Sequence, residues 1–465
     1  MQITRHFVDV GTRRVHYRRC GSGPVILMVH QSPRSSTEYE ALMRTWGETH
    51  TCIAPDTPGF GQSDPLPDEN ATIDDFSDAL VGLLDALGFD KVAAYGFHSG
   101  GTILVNTLAR APSRFTALAI GGFAIWTEEE SKAFSQSYLP AFKPSAYGEH
   151  LAWLWNRILE QTWFFPWFDT RKAARIGVAH DDVARVDAVI REMLDSGDAY
   201  RVGYGAVLRA PRIVPAPGEE TRPVLISAYE ADVLYEHIDR LPALHPSWEA
   251  RKLATAADQQ QASLDHLAPH AQSAPAVIGE CADEGFITVD TPGFTGRLHW
   301  KGTGQTLRVH APGQSVELLD LAGAKAIDLP GHGLSDGWEG AAPADAAPWL
   351  AVIEAARTAL GCTEIDFAPA PAGDPELLYP DLAPDRFGSY LTKAWQIVRA
   401  GKFFAPWYEA GAANAIDFTP EAIAPEALRI EHRALLRSSA AREWAVTRDA
   451  VARTIGLANR DADGH

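Results

Sequence analysis

The segment Gly96-Phe97-His98-Ser99-Gly100 sets an imidazole and a hydroxyl side by side between glycines, and either group can do chemistry there. Imidazole titrates near neutral pH. His98 can therefore attack a carbonyl and form a reactive acyl-imidazole, or act as a general base on water or on a substrate proton; it can also be inert. A second chemical segment is Ser227-Ala228-Tyr229-Glu230-Ala231-Asp232, which follows an apolar run. Asp232 there can orient and charge-balance an imidazole, or cap a helix or turn; Glu230 is the weaker of the two acids. His266, preceded by Asp265, reads as a base on a long loop or as a surface histidine. His30 and Gln31 close another apolar run, and Arg34 follows, able to bind a substrate carboxylate or to cap its own loop. Neither a Gly-rich phosphate loop nor a metal-ligand spacing such as H-E-x-x-H is present, so no metal and no cofactor is expected.

The elements that must position these residues read as alternating strands and helices. Strands are expected at Arg14–Arg18, Val25–Val29, Thr51–Pro55, Lys91–Tyr95, Pro223–Ala228 and Trp248–Ala254. Helices are expected near Glu38–Trp46, Ile73–Leu87 and Thr102–Ala109. Val25-Ile26-Leu27-Met28-Val29 is a continuous apolar run, as a strand buried on both faces of a parallel sheet requires. Alternation of this kind predicts an α/β, doubly wound, mostly parallel sheet. From about 125 to 220 the strand pattern gives way to a tryptophan-rich helical insertion (Trp126, Trp153, Trp155, Trp163, Trp167), some of whose indoles are expected to roof a pocket.

The order of these pieces resembles the α/β-hydrolase superfamily over about the first 270 residues, with a helical cap inserted ahead of the acid-bearing strand. Three motifs carry the resemblance: Val29-His30-Gln31-Ser32-Pro33, Asp56-Thr57-Pro58-Gly59-Phe60-Gly61-Gln62-Ser63-Asp64, and Gly96-Phe97-His98-Ser99-Gly100. The last stands at the family's nucleophile elbow, a strained strand-to-helix turn with small residues two before and two after the nucleophile. Gly96 and Gly100 meet that demand with His98 at the centre. Ser99 as nucleophile would place Phe97 where a small residue is needed. The resemblance implies that Ser99 N–H and Gln31 N–H form an oxyanion hole, with His30 beside it, and that Asp232 is the acid. The sequence departs from the family after Trp248–Ala254: Ala257-Asp258-Gln259-Gln260-Gln261 stands where a histidine-bearing turn is expected, which leaves His266 as the remaining candidate for a triad base.

A repeat follows. Thr12–Tyr17 returns as Thr295–Trp300, Ile26–His30 as Thr306–His310, Ala54–Asp64 as Ala326–Asp336, Leu84–Gly88 as Arg357–Gly361, and Phe164–Phe168 echoes in Phe403–Tyr408. Five matches in one order read as a tandem duplication with a boundary near 270–285. A hydrolase-like domain is expected at 1–275, and a degenerate partial copy at 276–465. That copy has Ala368-Pro369-Ala370-Pro371 in place of an elbow and is expected to pack on the first half without a reacting centre.

With 46% hydrophobic residues the chain can bury a core, and its formal net charge of −19 disfavours nucleic acid and anionic membrane surfaces as partners. Four scattered cysteines and the absence of a leader-like N-terminus suggest a cytoplasmic protein with reduced thiols. The expected function is cofactor-independent hydrolysis of a small organic molecule carrying an ester, thioester, amide or activated C–C bond. A lyase or proton-transfer enzyme with His98 as base, and an inactive binding or scaffold protein, are the alternatives. Self-association into a homo-oligomer stays open.

Overall fold

The computed structural model describes residues 1–275 and 278–462, which separate into two units: Met1–Lys143 with Leu154–Cys281, and Pro144–Trp153 with Ala282–His465. The first unit extends past the boundary expected at 275 because its last residues return to its first strands. Tyr17 Oη–H donates to Gly279 O at 3.1 Å, and Cys281 N–H to Phe7 O at 2.7 Å. Residues 276 and 277, where the second copy was expected to start, lie outside the described residues.

The sheet of the first unit contains β1 (Ile3–Val10), β2 (Arg13–Cys20), β3 (Pro24–Val29), β4 (Thr51–Pro55), β5 (Val92–Phe97), β6 (Phe115–Gly121), β7 (Val224–Tyr229) and β8 (Trp248–Leu253), in the order β1-β2-β4-β3-β5-β6-β7-β8; the short β9 (Gln272–Ser273) pairs with the start of β3. β1, β2 and β4 pair antiparallel, neighbours in the order from β4 to β8 pair parallel, and β9 lies antiparallel to β3. Successive side chains of β3 go to opposite faces, as a pleated strand demands: Val25, Leu27 and Val29 join one core and Ile26 and Met28 the other. The helices Ile73–Ala86 and Ser99–Arg110 pack together on the first of these cores.

Between β6 and β7 the insertion folds into the helices Glu128–Ser137, Glu149–Gln161, Val183–Ser196 and Tyr200–Arg209. Beyond β8 the chain enters the helix Ala256–Leu267 directly, through a capping box in which Thr255 and Asp258 satisfy each other's backbone N–H groups.

The second unit has a sheet of β10 (Glu284–Thr291), β11 (Phe294–Gly302), β12 (Thr306–Val309), β13 (Ala324–Ile327) and β14 (Glu364–Phe367), ordered β10-β11-β13-β12-β14. This matches the first five positions of the other sheet. The repeat recurs in its hydrogen bonds as well: His16 Nδ1 meets Asp56 Oδ2 at 2.8 Å, and His299 Nδ1 meets Asp328 Oδ2 at 2.8 Å. His16 N–H donates to Ser63 Oγ at 2.9 Å, and His299 N–H to Ser335 Oγ at 2.9 Å. Among the described residues no helix is long and apolar enough to cross a membrane.

Candidate active site

β5 ends at Phe97 and a helix begins at Ser99, so His98 alone makes the turn between them. Its backbone sits at φ +46°, ψ −106°, a region hostile to a residue with a Cβ. The flanking glycines are required by contact: a Cβ on Gly96 would lie 2.7 Å from Gly100 C, and one on Gly100 would lie 1.9 Å from Val29 O. This is the steric frame of an elbow centred on residue 98. Tyr39 fastens it to β3, accepting the Phe97 N–H at 3.1 Å and donating to Val29 O at 2.8 Å.

His98 Nε2–H donates to Asp232 Oδ1 at 2.9 Å, and the Leu234 N–H donates to the same oxygen at 2.9 Å. The Asp232 side chain is fully buried, while that of His98 keeps 20% of its surface exposed. Burial pushes the Asp232 carboxyl up, but the charge and hydrogen bond of His98 and the Leu234 N–H outweigh it and leave the group below the usual carboxylate range. Asp232 Oδ2 is buried with no hydrogen-bond partner. The ring of His98 stacks on Phe97 at 4.1 Å, which fixes its plane. With Nε2 committed to Asp232, Nδ1 is the nitrogen left for a ligand; both His98 and Asp232 line a cavity of about 310 Å³.

The other expected site residues are disposed differently. Ser99 is buried, and its Oγ accepts the Ser32 N–H at 3.0 Å, so its hydroxyl braces the loop that follows β3. Its backbone N–H lies in the first turn of a helix, where no intrahelical acceptor exists. The Gln31 N–H, expected as the second oxyanion donor, instead donates to Glu38 Oε2 at 3.0 Å, and its side-chain amide binds the same carboxylate. His30 is buried with both ring nitrogens engaged: Nδ1–H donates to Gln31 O at 2.8 Å, and Nε2 accepts the Thr57 N–H at 2.9 Å. It ties two loops together and has no nitrogen left for substrate.

Arg34 is ion-paired with the buried Glu192 of the insertion, which also accepts the Ser35 N–H at 3.1 Å. His266 lies at the far end of the strands: its ion-pair partner Glu249, at 3.7 Å, is near the start of β8, whereas the site gathers where β3, β5 and β7 end. It does not complete a triad with His98. Glu230 is exposed and lies outside the cavity wall. No tryptophan of the insertion lines this cavity either; Trp155 is buried, and Trp126 packs on Phe134 and His237. The insertion presents Gln161, Thr162, Ile176, Val178, His180 and Arg185 instead. No motif marks these residues, and only the fold brings them to the elbow. Glu38 did carry a local signal, since Ser35-Ser36-Thr37-Glu38 has the pattern of a helix start.

Residues 24–142 match the family model for the α/β hydrolase fold. The first half of the chain carries that fold. A cis-3-alkyl-4-alkyloxetan-2-one decarboxylase of Shewanella oneidensis is 36% identical over 124 residues, 26% of this chain and 39% of that protein. A haloalkane dehalogenase of Mycobacterium bovis is 29% identical over 130 residues, 28% of this chain and 46% of its own length. The chain therefore spans less than half the length of either relative. Among solved structures, potato (Solanum tuberosum) epoxide hydrolase I is 20% identical, with 56% of this chain and 96% of that chain covered and a TM-score of 0.44.

Proposed function

We propose that the first unit is a cofactor-independent hydrolase of a small organic molecule bearing an ester, thioester, amide or activated C–C bond, with His98 Nδ1 as the reacting atom. The observation that carries this is the His98–Asp232 pair on the elbow, the imidazole held at φ +46° and 2.9 Å from a buried carboxylate. Asp232 fixes the tautomer by taking the Nε2–H, so the lone pair resides on Nδ1. It also stabilises the positive charge that the ring gains when Nδ1 attacks a carbonyl or takes a proton from water. The unpartnered Asp232 Oδ2 adds to that pull, because a buried charged oxygen without a donor is costly. The Ser99 N–H is the oxyanion donor left available. Such an enzyme suits a reducing compartment such as the cytoplasm, where its four free cysteines stay thiols.

A second reading is a non-hydrolytic proton-transfer or lyase reaction with His98 as general base. The contact between the Gln31 N–H and Glu38 favours it, because an N–H already given to a side chain is one donor fewer for acyl transfer, while proton abstraction needs none. The second unit supplies no counterpart of His98: β14 runs into Ala368-Pro369-Ala370-Pro371, and no helix starts there.

Wild type and His98→Ala, screened against activated aryl and acyl esters in ¹⁸O-labelled water with intact-mass detection, test both readings. Turnover with label in the product that vanishes in the variant supports the hydrolase. Product without label supports the lyase. Full turnover by His98→Ala sinks the assignment, and ligand recovered unchanged by both proteins points to a binding protein.

A further inference from the structure

The cavity has two chemically unlike ends. The sheet end carries the base pair described above. At the other end the insertion offers hydrogen-bond donors with their own acceptors already accounted for. Gln161 Oε1 accepts from Arg157 at 2.7 Å, which leaves its amide N–H₂ to give. His180 Nδ1 accepts the Asp182 N–H at 3.3 Å, which puts the ring proton on Nε2. The His180 backbone is held in place by the Thr162 hydroxyl, at 2.6 Å, and by the Trp163 indole N–H, at 2.9 Å, both donating to its carbonyl. Arg185 has no side-chain hydrogen bond or ion pair among the described residues, although its guanidinium carries five donors. Arg34, the cation that the sequence offered for this purpose, is spent on Glu192.

Gln161, Thr162, His180 and Arg185 also line an adjoining cavity of about 200 Å³. Arg185 is exposed in the first turn of its helix; burial and then the Arg185 charge lower the His180 pKa while Asp182 and Asp181 oppose them, so the guanidinium is the cation of a field of mixed sign.

We propose that this end of the cavity binds the carboxylate of an organic acid substrate through Arg185, with Gln161 and His180 as accessory donors, so that the reacting bond lies at His98. A planar carboxylate matches the guanidinium fork. The proposal rests on the cavity being the reacting site, and not on whether His98 is nucleophile or base.

Titration calorimetry of the full chain, with phenylacetate, succinate and glutarate against neutral phenylacetamide, decides it. Wild type is expected to bind a carboxylate at least about tenfold more tightly than the amide, as one charge-assisted contact provides. Arg185→Gln should lose about that factor, Arg185→Lys should recover part of it, and His98→Ala should keep it. Equal affinity in wild type and Arg185→Gln overturns the proposal, as does a wild type that binds none of the acids or prefers the amide. Unimpaired turnover by His98→Ala, with carboxylate binding still dependent on Arg185, would remove the catalytic role of His98 and leave the anion site standing.

Discussion

A side chain held at positive φ costs about 1–3 kcal/mol, and among the described residues His98 is the one non-glycine residue in that region. Glycine would remove this cost and alanine would keep it, while both delete the imidazole and its bond to Asp232. His98→Gly is therefore expected to be more stable than His98→Ala by about 1 kcal/mol, the reverse of the usual order of these two residues. Thermal or urea unfolding of the two variants measures it, and an alanine variant as stable as the glycine one would place the strain elsewhere. The elbow was legible in the sequence because its demand is local: two glycines, each two residues from His98, mark which residue stands at the centre. The fates of Gln31 and Arg34 were not legible in the same way. The Gln31 N–H turns to Glu38, seven residues on, and the Arg34 guanidinium to Glu192, which only the folded insertion delivers.

At the scale of elements, the two N-terminal hairpins repeat each other with one reversal of charge. His16 stands opposite Phe7 in the β1–β2 register, and His299 opposite Phe286 in β10–β11. Two residues before each phenylalanine, on the same strand face, stand Arg5 and Glu284. Burial lowers His16, and despite Asp56 it stays low, with Arg18 and Arg5 adding to the effect. Burial also lowers His299, but hydrogen bonds to Asp328 and Glu284 (itself paired with Lys301) carry it above its ordinary value. The consequences for stability have opposite signs. The contribution of His299 is full below the unfolded value of about 6.5 and is lost as pH rises through the folded value. That of His16 is present above about 6.5 and is lost as pH falls through its lowered value. Glu284→Gln should bring His299 down, and Arg5→Glu should bring His16 up, both read as ring-proton shifts in an NMR titration. Unmoved titrations would mean that Asp328 and Asp56 alone set these histidines. The sequence matched β11 to β2, because a loop further along each copy repeats its Gly and Pro positions. It missed β1 and β10, whose half-buried, charge-bearing sequences lack clean alternation, and β6, although its buried Ala117-Leu118-Ala119-Ile120 is an apolar run like that of β3.

At the scale of the whole molecule, the second unit is not continuous in sequence. Pro144–Trp153, inside the insertion of the first half, belongs to it. Trp395, fully buried, donates its indole N–H to Ala146 O at 3.3 Å and packs edge-on against His150 at 4.9 Å. Gln396 donates to Tyr147 O at 3.2 Å, and a Cβ on Gly148 would come within 3.0 Å of the Trp395 ring. A chain cut between Cys281 and Ala282 thus separates Trp395 from the segment that covers it, since a buried indole of that size contributes about 3–5 kcal/mol against alanine. The piece 282–465 alone should unfold at lower urea than the same residues within the full chain. Trp395→Ala in the full chain should lower the second unit's stability by about that amount, and it should speed proteolysis within 144–153. Adding the piece 1–281 back to 282–465 should restore protection of both. If 282–465 alone is as stable as in the intact protein, the borrowed segment contributes nothing, and the second unit closes its core by itself.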